Sequence, residues 1–578
     1  MPKAQCDKYR CARPSLAHVL DFYACRRAAK TIEPSDAAAM ARARFEAFAF
    51  ALASLLAFAT ASPAPKLILS VIVDDLGSAD LGWTGSGVKT PTLDRLRAEG
   101  VELTSLYVQP ICTPSRAAFL TGRYPMLLGL QGKQTVQQGC SWGLDLDEQT
   151  FVSALQGAHW DTHMVGKVHL GGDYWRRTPT FRGFNSFVGY LYGAEDYYTH
   201  KLAQGFDLRN DSSRDCGPGC SRNIAAEHNG TYSSELFGAE VARLVAAAAG
   251  RPTYIHFTPQ SVHAPNEAPA DAVAPYLPIF PGNPVRAIHA GALASLDAAV
   301  AVIMAAISDA GLENDCLILL HADNGGPLGP TGDGTMASNF PRRGGKHSLF
   351  EGGVNAAGFA WGSKWLGVGV NRTWPGLAHV TDVGSTILDA AGVEPLPPLP
   401  GRPLSGLSFW EPLTTGKPAS AREEVIVNVD YTPPAQAAII MPASGGRRWK
   451  LILGHGGSGA KPELDASWSS HDGTPEAPQP GPALPPAPPA PVPAPRALWP
   501  LYDMTPTLFD LASDPRETVN LTDAHPDVVT QLSARLAAWG QRAVPVIENA
   551  TADPRSDPAF FNGSWTPWLG FGELKGHV

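Results

Sequence analysis

The chain has 578 residues, 44% hydrophobic and 17% charged, enough for a large core and more than one domain at the usual size of roughly 100–200 residues each. A formal charge of −9 excludes the basic footprint that general affinity for nucleic acid requires. It leaves room for an anionic substrate, because a few local cations reverse the field inside a pocket.

Residues 47–59 (AFAFALASLLAFA) form an apolar run of signal-peptide length, preceded by Arg42 and Arg44 and followed by small residues through Ser62. This is the pattern of a secretory leader, and it is too short to span a bilayer comfortably. Met40, immediately ahead of Ala-Arg-Ala-Arg, is the expected translation start, so 1–65 reads as an N-terminal extension with a signal peptide. A signal anchor with a short cytoplasmic tail is the alternative. No later segment is expected to span a membrane. Sequons at Asn210, Asn229, Asn371, Asn520, Asn549 and Asn562 fit a secretory route to an extracellular or lysosomal/vacuolar destination.

From Lys66 onward strands and helices alternate. Residues 67–73 (LILSVIV) are a continuous apolar run, the mark of a strand buried on both faces, and they end in Asp74-Asp75. A short helix follows at 91–99, with Pro first and Gly100 as stop, and another begins at 114–121. Further helices are predicted at 150–157, 232–249, 286–310 and 377–391. Strands are predicted at 253–258 and 316–321, the latter again running into an Asp, at 323. The pattern implies a mostly parallel sheet flanked by helices over 66–414. After about 415, strands at 424–429, 449–453 and 507–511 with one helix at 526–539 suggest a smaller α+β domain containing an antiparallel sheet, 415–578. Its stretch 474–499 is nearly all Pro, Ala and Gly, a polyproline-like or disordered insertion.

Cys6, Cys11 and Cys25 precede the leader. Of the other five, Cys216 and Cys220 in CGPGC are a plausible local disulfide in an oxidising compartment, and the odd number leaves at least one thiol unpaired. CGPGC has no second Cys or His pair at zinc spacing.

Ligands of open α/β sheets bind at the carboxyl ends of strands. Asp74-Asp75 and Asp323-Asn324 each follow a buried strand and precede glycine. Three carboxylates and an amide oxygen there make an all-oxygen set suited to Ca2+ or Mg2+, although Asp-Gly and Asn-Gly steps also simply make turns. Cys112, in Cys-Thr-Pro-Ser-Arg, lies just ahead of a Pro-initiated helix, where free N–H groups favour anions. Arg116 falls one turn in, facing back to it. A lone Cys is otherwise a buried small hydrophobe.

Cys112-Thr113-Pro114-Ser115-Arg116, with Thr121-Gly122 four residues on, resembles the sulfatase signature. The resemblance continues through Val-Asp-Asp-Leu-Gly (73–77), Gly-Lys-Val-His-Leu-Gly (166–171), Ser-Val-His-Ala-Pro (261–265), Ala-Asp-Asn-Gly-Gly (322–326) and the Gly-rich run 343–353. Glu-Asp-Tyr-Tyr (195–198) is similar to the arylsulfatase B branch, which includes N-acetylgalactosamine-4-sulfatase.

The resemblance implies an alkaline-phosphatase-like fold and hydrolysis of sulfate esters, with aryl sulfates or sulfated sugars, N-acetylgalactosamine 4-sulfate among them, as substrates. It implies Ca2+ held by Asp74, Asp75, Cys112, Asp323 and Asn324, with Cys112 oxidised to formylglycine by the formylglycine-generating enzyme. Arg116 would fix the aldehyde hydrate, and Lys167, His263 and Lys346 would bind sulfate. One hydroxyl of the hydrate attacks sulfur while His263 or Lys346 protonates the leaving alcohol. The second, deprotonated with help from His169, expels sulfate; an unmodified Cys has no second hydroxyl. Val168 stands where the family usually has Trp, which predicts an altered wall of the substrate cleft. The competing readings are a phosphatase or phosphodiesterase of related architecture, disfavoured by Cys and the single oxygen-rich metal set, and an inactive glycan-binding homologue.

Overall fold

The computed structural model describes residues 64–570 except 133–134, 249, 330–333, 368–370, 419, 433–434, 458–466, 471–472, 477–503 and 548–550. The leader with Met40, the first three cysteines, Asn549 and the Pro-rich insertion from 477 onward lie outside the described residues.

The main sheet contains β1 (Leu67–Val73), β2 (Val101–Leu103), β3 (Asp161–Lys167), β4 (Ser186–Tyr190), β5 (Arg209–Asp211), β6 (Ser221–Asn223), β7 (Thr253–Thr258), β8 (Cys316–Ala322), β9 (Gly358–Trp361) and β10 (Arg372–Trp374). Their order is β10-β2-β9-β8-β1-β7-β3-β4-β5-β6. The central run β8-β1-β7-β3-β4 is parallel throughout, and antiparallel strands continue from both sides of it. All seven residues of β1 and of β8 are buried, as continuous apolar runs in a doubly covered sheet should be. β3 was not predicted: its polar start and internal Gly166 hide the strand pattern. In the fold Gly166 takes φ +109°, and a Cβ there would sit 2.0 Å from Thr258 O.

Helices α1 (Pro91–Glu99), α2 (Cys112–Thr121), α3 (Phe151–Gly157), α4 (Ser233–Ala247), α5 (Pro284–Asp309) and α6 (Val380–Ala391) cover the sheet. Side chains alternate along a strand: Tyr254 and His256 of β7 meet Phe151 of α3 and Phe119 of α2. Phe237 of α4 stacks on Tyr190 of β4, whose strand position faces the opposite side. Helix α2 starts at Cys112 itself, two residues earlier than predicted. Pro114 does not prevent this, since first-turn N–H groups have no intrahelical partner to lose.

Among the described residues past the leader, one helix meets the length and composition of a membrane span. Helix α5 is long and apolar enough, but 61% of its most apolar window is buried, it packs on α4, and Arg286, His289 and Asp297 lie among its buried residues. It is a core helix of this fold.

The C-terminal part builds an antiparallel sheet of β11 (Val425–Asp430), β12 (Gln436–Pro442), β13 (Arg448–Leu453) and β14 (Pro506–Asp510), in that order. One face, with Ile439 and Leu451, packs on Leu532 and Leu536 of α7 (Pro526–Gly540). The other, with Ile440 and Ile452, packs on Leu349, Phe350 and Val354. The sheet therefore buttresses the loop that carries Lys346. Cys216 and Cys220 are disulfide-bonded as predicted, and Cys112, Cys140 and Cys316 are free and buried. Asn210, Asn229, Asn371 and Asn562 are exposed.

Candidate active site

Four adjacent parallel strands, β8, β1, β7 and β3, deliver polar residues at their carboxyl ends: Asp323-Asn324, Asp74-Asp75, the 261–263 loop and Lys167. Backbone hydrogen bonds tie these ends together. Val262 N donates to Asp74 O at 2.9 Å, and Asp323 N donates to Val73 O at 3.2 Å. Cys112 meets them from the first turn of α2, its Sγ donating to Asp74 Oδ1 at 3.5 Å. Donor atoms of Asp74, Asp75, Cys112 and His263 all lie within 4.8 Å of one another.

Three carboxylates here face three cations. Lys167 Nζ donates to Asp74 Oδ2 at 2.5 Å. Lys346 Nζ donates to Asp75 Oδ2 at 2.8 Å and to His263 Nε2 at 3.1 Å. Arg116 donates to Asp323 Oδ2 through Nε (3.1 Å) and Nη2 (2.9 Å), and its Nη2 lies 3.5 Å from Asp74 Oδ1. Charges so deeply buried persist only when paired. Burial alone would raise the Asp74 carboxyl, but Lys167, His263 and Arg116 outweigh it and hold it low. Asp323 goes the other way, raised by burial and by the neighbouring Asp74 charge. Burial likewise pushes the Cys112 thiol up, against the pull of Lys167.

Of the predicted metal set, Asp74, Asp75 and Cys112 converge with His263, while Asp323 and Asn324 engage neighbouring groups. Asp323 spends Oδ2 on Arg116, while its Oδ1 accepts from Asp75 N at 3.2 Å. His263, predicted as a sulfate ligand, joins the convergent donors. Asn324 Nδ2 donates to Asp75 Oδ1 at 2.7 Å and to Gly325 O at 3.0 Å. Its Oδ1 is buried without a hydrogen-bond partner among the described residues.

The two histidines have distinct tautomers. His263 Nδ1 donates to Ala264 O at 2.6 Å, which leaves Nε2 to accept from Lys346. His169 Nε2 donates to Val136 O at 3.1 Å, so Nδ1 carries the lone pair, buried and unpartnered among the described residues. Burial, reinforced by Lys167 and Arg116, pushes His169 well below the usual histidine range, so its ring is held neutral with Nδ1 unprotonated. Its backbone takes φ 57°, an uncommon conformation for a non-glycine residue, and Thr113 Oγ1 secures its carbonyl at 3.0 Å. His263 (9% exposed) and Lys346 (6%) are more open than Asp74, Asp75, Lys167 and Asp323, each at 0%. Of these residues His263 is therefore the least covered.

Sequence reasoning missed several supporting groups. Ser115 Oγ donates to Asp323 O and accepts from Gln109 N. Tyr197 OH donates to His263 O at 2.9 Å, and it lies within the Glu-Asp-Tyr-Tyr phrase that could have flagged it. Tyr190, registered with Lys167 across β3 and β4, has a buried hydroxyl with no hydrogen-bond partner among the described residues; only the strand pairing reveals it. Val168 is 3% exposed and packs in the main core. His256, His321 and His379 are buried in hydrogen-bonded positions.

Residues 66–393 match the sulfatase family. Arylsulfatase J of Mus musculus is 33% identical over 529 residues, covering 88% of this chain and 81% of that protein. Arylsulfatase A of Bos taurus is 30% identical over 82% of this chain and 87% of its own. Among solved structures, Ps i-CgsB in complex with k-i-k-neocarrahexaose superposes with a TM-score of 0.65 at 22% identity, over 84% of this chain and 94% of that one.

Proposed function

We propose, for a chain that belongs to the sulfatase family and hydrolyses sulfate esters, that catalysis uses residue 112 as formylglycine beside a Ca2+ ion. Asp74, Asp75, Asp323, Asn324 and residue 112 would hold that ion. The observation that carries the reading is the meeting of four neighbouring strand ends around Cys112, with Asp74 3.5 Å from its Sγ. The donors fit a hard cation: carboxylate oxygens, and an Asn324 Oδ1 that is buried and unpartnered among the described residues. When present, the ion supplies positive charge to sulfate oxygens, and the hydrated aldehyde supplies two hydroxyls, one for attack on sulfur and one for sulfate release.

The chain's own residues do the rest. Lys167 and Lys346 turn from Asp74 and Asp75 toward the sulfate oxygens and neutralise charge that builds up in a water-poor site. Arg116, fixed by Asp323, orients residue 112. His263 or Lys346 passes a proton to the leaving alcohol, and their mutual hydrogen bond makes them one proton-bearing unit. His169 Nδ1 takes the proton whose removal lets sulfate depart.

A sulfated glycan is the substrate class we favour, with the N-acetylgalactosamine 4-sulfate branch as its finer form. Glu195 to Tyr198 and the likeness to a fold bound to neocarrahexaose support it. The leader, the disulfide and the exposed sequons support a secretory, extracellular or lysosomal location, where the formylglycine-generating enzyme would act during biosynthesis. The catalytic part would be 66–414, with 415–578 as the smaller domain. Peptide mass spectrometry across residue 112 tests the reading: loss of the thiol and gain of an aldehyde is expected. Active enzyme carrying only the unmodified thiol, or faster turnover of an aryl phosphate than of the matching aryl sulfate, overturns it.

A further inference from the structure

Three loops must hold a common geometry for this site to work: the one after β1 with Asp75, the one after β8 with Asn324, and the Gly-rich loop with Lys346. A single carboxamide joins them. Asn339 is fully buried. Its Oδ1 accepts from Gly326 N at 3.0 Å and, at a longer 3.4 Å, from Ser78 N. Its Nδ2 donates to Gly326 O at 2.8 Å and to Gly344 O at 3.2 Å.

The segment carrying Asn339 is itself pinned. Ser338 N donates to Asp80 Oδ1 at 2.8 Å, and Asp80 also accepts from Gly77 N at 2.9 Å. Asp80 is paired at 2.5 Å with Arg286 and at 3.0 Å with His289, both fully buried on α5. Asn339 N donates to Ser469 Oγ at 2.9 Å, so the C-terminal part reaches the same point. Next to it, Lys346 N donates to Gly326 O at 3.2 Å. The approach is so close that a Cβ on Gly345 would lie 2.4 Å from Gly326 O and 2.9 Å from Asn339 Nδ2.

We infer that Asn339 is a positioning residue that sets where Lys346 stands relative to the Asp323-Asn324 loop, and thereby tunes the grip on sulfate. The job requires one side chain that accepts at one end and donates twice at the other, which among side chains of this size only Asn offers. An Asp in its place keeps the acceptors but turns a carboxylate oxygen toward two carbonyls, Gly326 O and Gly344 O. The inference rests on Lys346 binding sulfate, as proposed above.

The test is a double-mutant cycle on the full chain, with kcat/KM for an aryl sulfate and the competitive inhibition constant of inorganic sulfate as readouts. Asn339→Ala is expected to lower kcat/KM about 30-fold and weaken sulfate inhibition about tenfold, at a melting temperature close to wild type. In a Lys346→Ala background the same change should cost less than about threefold, because the group it positions is gone. A purely structural residue would give equal factors in both backgrounds, and that result overturns the inference. Asn339→Asp carries the same expectation should the Ala protein fold poorly; failure of both to fold also overturns it. A Lys346→Ala enzyme with wild-type kcat/KM and sulfate inhibition sinks the sulfate role of Lys346 and this inference with it. Equal factors beside a crippled Lys346→Ala enzyme sink this inference alone.

Discussion

Replacing Glu517 with Gln is expected to flatten the dependence of stability on pH. Lys450, buried at the centre of the C-terminal sheet, lies 2.9 Å from Glu351 Oε1 and 2.8 Å from Glu517 Oε1. Glu517 Oε2 accepts from Glu351 N at 2.7 Å. Two buried carboxyls share one ammonium, so one of them keeps a proton. Burial, opposed by Lys450 and abetted by the Glu351 charge, raises Glu517 to about 7, against about 4.3 for an unfolded Glu.

The folded state thus binds this proton more tightly than the unfolded one. Its stabilising contribution is complete below about pH 4.3, and it is lost as pH rises through about 7. Between pH 5 and pH 8 the loss comes to about 2.5 kcal/mol at about 1.4 kcal/mol per pKa unit. At about 2 cal/mol/K of unfolding entropy per residue, that is about 2 °C in Tm for a chain this long. Paired calorimetric scans of wild type and Glu517→Gln at pH 5 and pH 8 read it directly. The Gln protein, which mimics the protonated carboxyl, should show a pH 5-to-8 difference smaller by about 2 °C. Identical differences in the two proteins would refute the reasoning. This one carboxyl contributes more stability on acidification, which would suit the lysosomal form of the proposed location, and its partner Glu351 lies five residues beyond Lys346.

Cys112→Ala should abolish sulfate ester turnover with a Tm close to wild type, because a small buried side chain is exchanged for a smaller one; wild-type rates in that protein would refute the role of residue 112. Asp323→Ala should lose bound calcium, measured by elemental analysis after dialysis, together with activity. Its failure to change either would remove Asp323 from the metal set. That variant also leaves buried Arg116 without its main partner, at about 3–5 kcal/mol, so its metal content is read on folded protein isolated by gel filtration.

Much of the site was legible from local pattern. The buried strands at 67–73 and 316–322 are apolar apart from Ser70 and His321 because both faces of a parallel sheet are covered, and they run into Asp74-Asp75 and Asp323-Asn324. The Cys-Thr-Pro-Ser-Arg phrase is short, contiguous and chemically specific, so its reading needed no fold. The helix at 91–99 announced itself by an initial Pro and a terminal Gly.

Other features had no local signature. The strand 161–167 begins with Asp-Thr-His and contains Gly166, a composition that spoke against a strand until Thr258 O pressed against it. Helix 284–309 has the composition of a membrane span, and only its packing against 233–247, with Arg286 and His289 bonded to Asp80, makes it a core helix. His263 joining the convergent donors, Tyr190 beside Lys167, and Asn339 binding three loops all link residues brought together by strand order. Local pattern governs which segments bury and where charges fall along the chain. Which charges meet depends on the lateral order of strands, and that order is settled only when the whole sheet pairs and its two faces are covered at once.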